Sequence, residues 1–265
     1  MKIPFYKYQG TGNDFILVDQ REEIFLKKED TEAIRALCDR HFGIGADGLI
    51  LLQNHPDFDF EMVYFNADGN ESTMCGNGGR CIAAFAKKLG VIDSRTRFLA
   101  IDGPHEAIVK PGNWVELKMS DVEKVEVNSD HFILNTGSPH YVTFVKSTDK
   151  ISVNEAGAKI RYQEKFGAAG INVNFVEDCK NAIKVATYER GVENETLSCG
   201  TGVTAAAIAY SLKNAGQTHY EIPIHSKGGD LLVKFATNGK FFFNIWLCGP
   251  AALVFEGAVE VDFEI

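Results

Sequence analysis

One cysteine-centred segment occurs twice in this chain, and the repeat limits the possible folds more than any other feature. Residues 70–78 read NESTMCGNG and residues 194–202 read NETLSCGTG. Their cysteines are Cys75 and Cys199, so the offset is 199 minus 75, or 124 residues. Similarity at a fixed spacing indicates duplicated structural units. The chain is therefore expected to fold as two similar halves of about 120 residues each.

Further pairs of positions support a duplication. The aligned positions are Tyr64 with Tyr188 and 42–43 (Phe-Gly) with 166–167 at the offset of 124, and 11–12 (Thr-Gly) with 136–137 at 125. A duplication predicts a quasi-twofold relation in which equivalent residues face one another.

Both cysteine segments lie between a predicted strand and a predicted helix. Residues 59–65 and 182–188 are rich in β-favouring side chains and predict strands leading into the cysteine loops. After each Cys-Gly-x-Gly, residues 82–89 and 205–212 predict helices that end near Gly90 and Gly216. Both helices are expected to begin at the cysteines.

The rest of the chain favours strands over helices. Further strands are predicted at 3–8, 15–19, 49–53, 114–119, 141–145, 231–235 and 241–247, and further helices at 31–40 and 153–162. This pattern predicts an α/β or α+β fold.

Charge and hydropathy exclude several classes of partner. The chain has 36 acidic and 27 basic side chains, a formal net charge of -9, which argues against nucleic acid as a partner. No apolar run approaches the roughly 18 residues of a membrane-spanning helix, and no secretory signal is visible. We therefore expect a cytoplasmic protein.

The six cysteines divide into two groups. They form no Cys-x-x-Cys pair, so neither a disulfide scaffold nor a zinc site is predicted, and reduced thiols are expected. Four are expected to be small apolar core residues: Cys38, Cys81, Cys179 and Cys248. Cys75 and Cys199 differ because each lies in a polar, glycine-flanked turn that is repeated.

A cysteine at a helix start is suited to proton transfer. The unpaired N–H groups and the helix dipole bind carboxylates and stabilise a thiolate, which lowers a cysteine's pKa toward neutrality. Two such motifs brought face to face would hold the carboxylate of one amino acid while the sulfurs flank its Cα. One thiolate would remove the Cα proton, and the other thiol would return a proton to the opposite face.

Other motifs leave alternatives open. Residues 200–205 imitate part of a dinucleotide-binding fingerprint but do not follow a strand end. His140 could tune a thiol as an ion-pair partner or be structural, and Arg190 beside Glu189 could hold a carboxylate or form a surface pair. Asn66 and Asn172 could bind substrate or stabilise turns.

Six ordered segments resemble the signatures of the diaminopimelate epimerase family through nearly the whole chain. They are 12–15 (GNDF), 43–48 (GIGADG), 66–69 (NADG), 74–78 (MCGNG), 188–191 (YERG) and 198–202 (SCGTG). The resemblance implies two pseudo-symmetric domains, each a barrel-like β-sheet around a central helix. Their expected extents are 1–118 with 254–265, and 119–253, so that the C-terminal strand returns to the first domain. It also implies epimerisation of LL-2,6-diaminopimelate to the meso form in lysine and cell-wall precursor synthesis, without cofactor or metal, by a homodimer.

The same resemblance implies roles for individual residues. Cys75 and Cys199 would be the acid/base pair, with His140 and Glu189 adjusting their pKa values. The reacting end's carboxylate would be held by Gly76, Asn77, Gly200 and Thr201. The distal end of the substrate would be bound chiefly by Asn13, Asn66, Asn172 and Arg190, beside Glu189.

Two positions depart from the family pattern. Ser138 stands where the family usually has asparagine, and its shorter hydroxyl could lose a substrate contact or need a bridging water. Gly48 stands where some members have a substrate-contacting glutamine, so that contact is not transferred. Both changes concern recognition of the substrate.

Three rival functions remain open. A racemase for proline or hydroxyproline is the nearest, although that group typically has histidine where Asn77 stands. A non-catalytic amino-acid binder and a redox protein with a disulfide between the two repeated cysteines are the others.

Overall fold

The computed structural model describes residues 1–261. They form two compact units: Met1–Leu117 with the segment from Pro250 onward, and Lys118–Gly249. Residues 262–265, which the predicted first domain includes, lie outside the described residues. The domain limits expected from the resemblance stay a prediction.

The first unit holds two helices and eight strands. They are β1 (Lys2–Gly10), β2 (Asn13–Asp19), α1 (Thr31–Cys38), β3 (Gly48–Gln53), β4 (Phe60–Asn66), α2 (Gly76–Lys88), β5 (Arg95–Ala100), β6 (Gly103–Val109), β7 (Trp114–Lys118) and, from the end of the chain, β17 (Ala252–Glu260). Strand β17 pairs antiparallel with β1, with Lys2 opposite Glu260. The C-terminal strand therefore adds to the first unit's sheet.

The second unit repeats this organisation. Its elements are β8 (Val125–Val127), β9 (His131–Asn135), β10 (Pro139–Val145), α3 (Val153–Arg161), β11 (Asn172–Asp178), β12 (Ile183–Glu189), β13 (Asn194–Thr196), α4 (Gly200–Lys213), β14 (His219–Ser226), β15 (Gly229–Thr237) and β16 (Phe242–Pro250), with short 3-10 helices at Thr148–Lys150 and Glu164–Phe166.

Strand pairing follows one order in both units. In the first, β1–β2, β3–β4, β5–β6 and β6–β7 are antiparallel, while β2–β3 and β4–β5 are parallel. In the second, β9–β10, β11–β12, β14–β15 and β15–β16 are antiparallel, while β10–β11 and β12–β14 are parallel. The shared order confirms the duplicated topology that the cysteine repeat predicts.

A buried helix lies at the centre of each curved sheet. Helix α2 packs against β1, β2, β3 and β6, and α4 packs against β9 to β12, β14 and β15. Their side chains are buried on nearly every side, including Cys81 and Phe85 of α2 and Val203 and Ile208 of α4. A helix that is apolar all round belongs inside a core. Each unit is thus the expected barrel-like sheet around a central helix.

The other two helices cover the outer surfaces of the sheets. Ile34 and Leu37 of α1 join a core cluster with Leu49 and Phe65 of β3 and β4. Val153 of α3 packs in the equivalent cluster of the second unit. Each sheet is therefore packed on both faces, which explains the continuous burial of β3.

Two local predictions are wrong. Helix α1 ends at Cys38 instead of residue 40, because Asp39 is extended and its carboxylate accepts hydrogen bonds from the N–H groups of His41 and Phe42. Cys179 is exposed in the turn after β11, not in a core, while Cys38, Cys81 and Cys248 are buried.

In the described part of the chain, no helix has the length and apolar character needed to cross a membrane.

Candidate functional site

Cys75 is the N-cap residue of α2. Its backbone is extended, and its sulfur accepts a hydrogen bond from the backbone N–H of Gly78 at 3.2 Å. The side chain is half-buried. An acceptor at this position satisfies one of the N–H groups that a helix start leaves unpaired, so the backbone stabilises negative charge on the sulfur.

A tight hairpin turn places Asn13 beside Cys75. Thr11 and Gly12 join β1 to β2 with φ of 50° and 85°, the left-handed pair of a type I′ turn. Asn13 follows the turn, and its Oδ1 lies 3.9 Å from the Cys75 sulfur and 3.2 Å from Asn77 Nδ2. The structure thus gathers three predicted residues, Cys75, Asn77 and Asn13.

Arg80 fixes the orientation of Asn77. The guanidinium is completely buried and donates to Asn77 Oδ1 at 3.0 Å, to Thr11 Oγ1 at 3.1 Å and to the Gly76 carbonyl at 3.2 Å. Because Arg80 is donor only, Asn77 must present its oxygen to Arg80 and its amide nitrogen to Asn13. The sequence reasoning missed Arg80, although it lies in the helix that follows the Cys75 motif.

An ion-pair cluster holds Asn13 from the other side. Asn13 Nδ2 donates to Asp47 Oδ2 at 2.6 Å, and Arg40 bridges Asp47 and Asp14 at 2.8 and 2.7 Å. Burial opposes ionisation of Asp14, but hydrogen bonds from Arg40 and Lys7 outweigh it and keep the pKa of Asp14 well below its usual range. The ionised cluster therefore directs the Asn13 carbonyl oxygen toward the Cys75 sulfur.

Asn66 is the last residue of β4, exposed, and opposite Gly48 in the β3–β4 register. A Cβ at Gly48 would lie 2.5 Å from the Phe65 carbonyl oxygen and 2.7 Å from Cε2 of Tyr64. Glycine at 48 is thus required by packing in this chain, and a longer side chain cannot enter without moving β4.

The second unit builds a similar arrangement around Cys199. Cys199 is the N-cap of α4, is extended and is 7 % exposed. Thr201 Oγ1 lies 3.5 Å from the sulfur, and Thr136 donates to the Thr201 carbonyl at 2.8 Å. Thr136 is the counterpart of Thr11, so in both units the turn between the first two strands of the repeat contacts the start of the central helix.

His140 is hydrogen-bonded to Thr201 and Asn174. Its Nε2 lies 2.9 Å from Thr201 Oγ1, and its Nδ1 lies 3.0 Å from Asn174 Nδ2. Complete burial, with a smaller effect from the charge of Arg190, lowers the pKa of His140 to about 3. The imidazole is therefore neutral near pH 7, and its hydrogen bond to Thr201 connects it to the residue beside the Cys199 sulfur.

Arg190 and Asn172 meet at Ser138. Arg190 Nη2 donates to Ser138 Oγ at 3.2 Å, and Asn172 Nδ2 donates to the same oxygen at 2.9 Å. Asn172 Nδ2 also donates to the Pro139 carbonyl at 3.1 Å, and its Oδ1 accepts from the Arg190 backbone N–H at 3.0 Å. The Asn172 amide is thus engaged within the protein and holds Arg190 in place. Ser138 takes part in this cluster.

Glu189 is the last residue of β12, half-buried and directly before Arg190. The loop after it is held by Glu193, whose carboxylate accepts from Tyr188 at 3.0 Å, from Tyr162 and Arg161 at 3.1 Å and from the Gly191 N–H at 3.0 Å. Glu193 was not singled out from the sequence, where it is one acidic residue among several in a polar stretch.

The thiols of Cys38 and Cys81 lie in environments that disfavour ionisation. Burial raises the pKa of Cys38 to about 12 and moves the pKa of Cys81 even further upward. Neither thiol ionises near neutral pH. Cys75 and Cys199 differ from them in position, because each is the N-cap residue of a helix whose first and third residues are glycines.

The comparisons with known proteins agree in one family. The diaminopimelate epimerase family model matches residues 5–125 and 132–254. A diaminopimelate epimerase from Flavobacterium psychrophilum is 53% identical over 259 residues, which is 97% of this chain and 100% of that protein. One from Aquifex aeolicus is 39% identical, covering 98% of this chain and 99% of its own length.

Solved structures show the same fold at low sequence identity. A phenazine biosynthesis protein of the PhzF family from Bacillus anthracis has a TM-score of 0.78 at 14% identity, covering 98% of this chain and 100% of its own. A hydroxyproline epimerase from Agrobacterium vitis has a TM-score of 0.73 at 12% identity, covering 99% and 94%. On the family model and the sequence identities, this chain belongs to the diaminopimelate epimerase family of isomerases.

Proposed function

We propose that the protein converts LL-2,6-diaminopimelate to the meso form without a cofactor, with Cys75 and Cys199 as acid and base on opposite faces of one Cα. The observation that carries the proposal is that both repeated cysteines, one from each unit, cap the start of a buried, glycine-led helix. Chance does not account for two such thiols in a family of amino-acid epimerases.

The proposed reaction moves one proton off the substrate and another onto it. A thiolate takes the Cα proton and becomes a thiol, and the electron pair of the C–H bond passes into the adjacent carboxylate. The opposite thiol then gives its proton to Cα from the other face and becomes a thiolate. The protonation states of the two cysteines are exchanged, and no external oxidant, reductant or adduct is needed.

The helix starts supply the stabilisation that this step requires. Negative charge builds on the carboxylate while the proton is away, and we propose that backbone N–H groups at the starts of α2 and α4, at residues 76–77 and 200–202, receive it. Asn77 and Thr201 follow the first glycine of each helix and complete this proposed carboxylate site. Their orientations are fixed by Arg80 and His140 respectively.

The distal amino-acid end is proposed to bind around Arg190, Asn66 and Asn13. Arg190 can grip a carboxylate with two parallel hydrogen bonds, and Ser138 and Asn172 hold the arginine in place. Glu189, next to Arg190, is proposed to receive the distal ammonium group or to tune a thiol. A substrate with two amino-acid ends suits this arrangement better than proline, which has one.

The remaining expectations are proposals about location and assembly. We propose a cytoplasmic homodimer whose ligand is a small amino acid and which binds neither nucleic acid nor membrane. Exposed apolar side chains on β17, Leu253, Val254 and Phe255, support an interface between copies. Light scattering of the purified chain decides between one copy and two.

Replacing each cysteine separately tests the function. Cys75→Ser and Cys199→Ser are expected to lose turnover of LL-diaminopimelate by a factor of 1,000 or more, on the order of a missing essential acid or base, while calorimetry still detects binding. Cys179→Ser, which changes an exposed thiol, is the matched control and is expected to keep full turnover. Full activity in either active-cysteine variant would rule out the mechanism, and turnover of proline instead of diaminopimelate would favour the racemase.

A further inference from the structure

A series of buried, hydrogen-bonded polar side chains ends at the Cys199 sulfur. Thr187 Oγ1 lies 2.9 Å from Asn174 Oδ1, Asn174 Nδ2 lies 3.0 Å from His140 Nδ1, and His140 Nε2 lies 2.9 Å from Thr201 Oγ1. Thr201 Oγ1 is 3.5 Å from the sulfur. Asn174 and His140 are completely buried and Thr187 is 3 % exposed, so bulk water does not compete for these hydrogen bonds.

A backbone carbonyl determines the direction of this series. Asn174 Nδ2 lies 3.0 Å from the Tyr141 carbonyl oxygen, which can only accept. The Asn174 nitrogen therefore points to Tyr141 and His140, and its oxygen accepts from the Thr187 hydroxyl. One amide hydrogen goes to the carbonyl and the other to His140 Nδ1, so Nδ1 is the unprotonated nitrogen of the neutral ring.

The Thr201 hydroxyl connects His140 to the sulfur. With Nδ1 as an acceptor, the single ring proton of the neutral imidazole is on Nε2 and is donated to Thr201 Oγ1. The hydroxyl oxygen then accepts from His140, which leaves the Thr201 proton free to point at Cys199. A hydrogen bond donated to sulfur favours the thiolate over the thiol.

The counterparts in the first unit have no such series. The strand registers make Phe15 the counterpart of His140 and Ile50 the counterpart of Asn174, while Tyr64, opposite Ile50, takes the place of Thr187. Phe15 and Ile50 are buried apolar side chains, so the two central members of the series are missing in the first unit. Burying polar groups in place of apolar ones costs free energy unless they are fully hydrogen-bonded, so their presence in only one half points to a role beyond packing.

Packing against α4 confirms that the position of Asn174 is tightly defined. A Cβ on Gly202 would lie 2.4 Å from Asn174 Oδ1, whereas a Cβ on the equivalent Gly78 would lie 3.2 Å from Ile50 Cδ1. Glycine at 202 therefore makes room for the amide as well as exposing the backbone. The surroundings of Cys75 are different, because its sulfur accepts from the Gly78 N–H at 3.2 Å and lies 3.9 Å from an acceptor, Asn13 Oδ1.

We propose that Asn174 is a positioning residue that holds His140 as its Nε2–H tautomer, so that Thr201 donates to Cys199 and favours the thiolate form of this cysteine. The assignment deepens the proposed function and rests on it for its catalytic meaning. The tautomer and the thiolate are, however, properties of the protein without substrate. They can be measured whether or not the protein epimerises diaminopimelate.

Nitrogen NMR of the histidine-labelled full chain tests the first step directly. His140, identified by its absence in His140→Gln, is expected to show an unprotonated Nδ1 and a protonated Nε2 near pH 7. In Asn174→Leu, which keeps the volume but removes the donor, the ring is expected to lose this single-tautomer signature. A proton on Nδ1 in the wild-type protein overturns the proposal without any variant.

Alkylation tests the second step. Iodoacetamide reacts with thiolates, and mass spectrometry of the Cys199 peptide gives its rate separately from Cys75. Asn174→Leu is expected to slow alkylation of Cys199 about ten-fold, the equilibrium effect of one hydrogen bond to a charged group, while Cys75 changes little. Ser211→Ala, which removes a buried hydroxyl from the far end of α4, is the matched control and is expected to match the wild type.

The outcomes separate the proposal from its rivals. An unchanged Cys199 rate in folded Asn174→Leu overturns it, and equal slowing in Ser211→Ala shows general loosening of α4 instead. If Asn174→Leu does not fold, Thr187→Val decides, because it removes only the donor to Asn174 Oδ1 and is expected to slow Cys199 in the same direction by a smaller factor. If the tautomer and alkylation results are as expected but the wild-type protein does not turn over LL-diaminopimelate, only the proposed function is contradicted.

Discussion

Acidification should destabilise the protein through His140. The ring is completely buried, and burial lowers its pKa from 6.5 to about 3. The unfolded chain therefore binds a proton near pH 6.5, whereas the folded protein does not until the pH is far lower. Since the unfolded state gains the proton first, the contribution of neutral His140 is present above about pH 6.5 and is lost progressively as the pH falls toward 3.

The size of the effect follows from the difference between the two pKa values. Each pH unit below 6.5 favours the unfolded state by about 1.4 kcal/mol per proton, so at pH 5 the loss amounts to about 2 kcal/mol. Urea unfolding at pH 7.5 and pH 5 gives the change in the free energy of unfolding. His140→Gln carries no titrating ring at this position, so the wild type should lose about 2 kcal/mol more than the variant over this interval.

Using the difference between the two proteins removes the contribution of all other groups. Other ionisable groups, such as Asp14 with its lowered pKa, are present in both proteins, so their contributions cancel in the difference. If the wild type and His140→Gln lose the same free energy between pH 7.5 and pH 5, His140 is not buried as a neutral ring. The direction assigned to the hydrogen bonds around Cys199 would then be wrong as well.

Two further outcomes follow from the contacts described above, and a third follows from the proposed two-cysteine mechanism. Gly48→Gln should lower the free energy of unfolding by about 1–3 kcal/mol, measured by urea denaturation, because its Cβ would lie 2.5 Å from the Phe65 carbonyl oxygen; a fully stable variant contradicts that packing. Arg80→Met should cost about 3–5 kcal/mol of stability and lower kcat at least ten-fold, since several buried acceptors lose their donor, and normal kcat in a folded variant would exclude a role in orienting the carboxylate site. Mild oxidation should link Cys75 to Cys199 and abolish turnover until a reductant is added, whereas a tryptic digest in which these thiols never pair would show that the sulfurs do not approach one another.

The repeat predicted a large part of the fold because both of its signals are local. Each cysteine precedes a glycine pair and an apolar run, which is enough to place the start of α2 and of α4, and Gly90 adopts the expected left-handed φ of 72° after α2. The end of α1 was misplaced because the carboxylate of Asp39 competes for backbone N–H groups. Whether a carboxylate accepts hydrogen bonds from the backbone in this way depends on its side-chain rotamer, which the sequence pattern does not specify.

The supporting residues of the site were harder to predict. Asn174 and Thr187 lie on central strands, and their alternation with apolar neighbours resembles an ordinary half-buried strand. Their function depends on a register in which they face one another and on the helix behind them. Arg80 was likewise missed because a lone arginine on a helix is usually exposed, whereas here it is completely buried. Such contacts arise only from tertiary packing.

Deuterium incorporation in D₂O at low conversion tests the two-cysteine mechanism most directly. LL-diaminopimelate is incubated with the reduced protein, and deuterium at Cα is measured separately in the remaining substrate and in the meso product. With one thiol on each face, the product should carry solvent deuterium while the remaining LL substrate carries almost none. Deuterium appearing in the LL substrate as fast as in the product, or product that keeps the original hydrogen, would require a single base reaching both faces and would contradict the account.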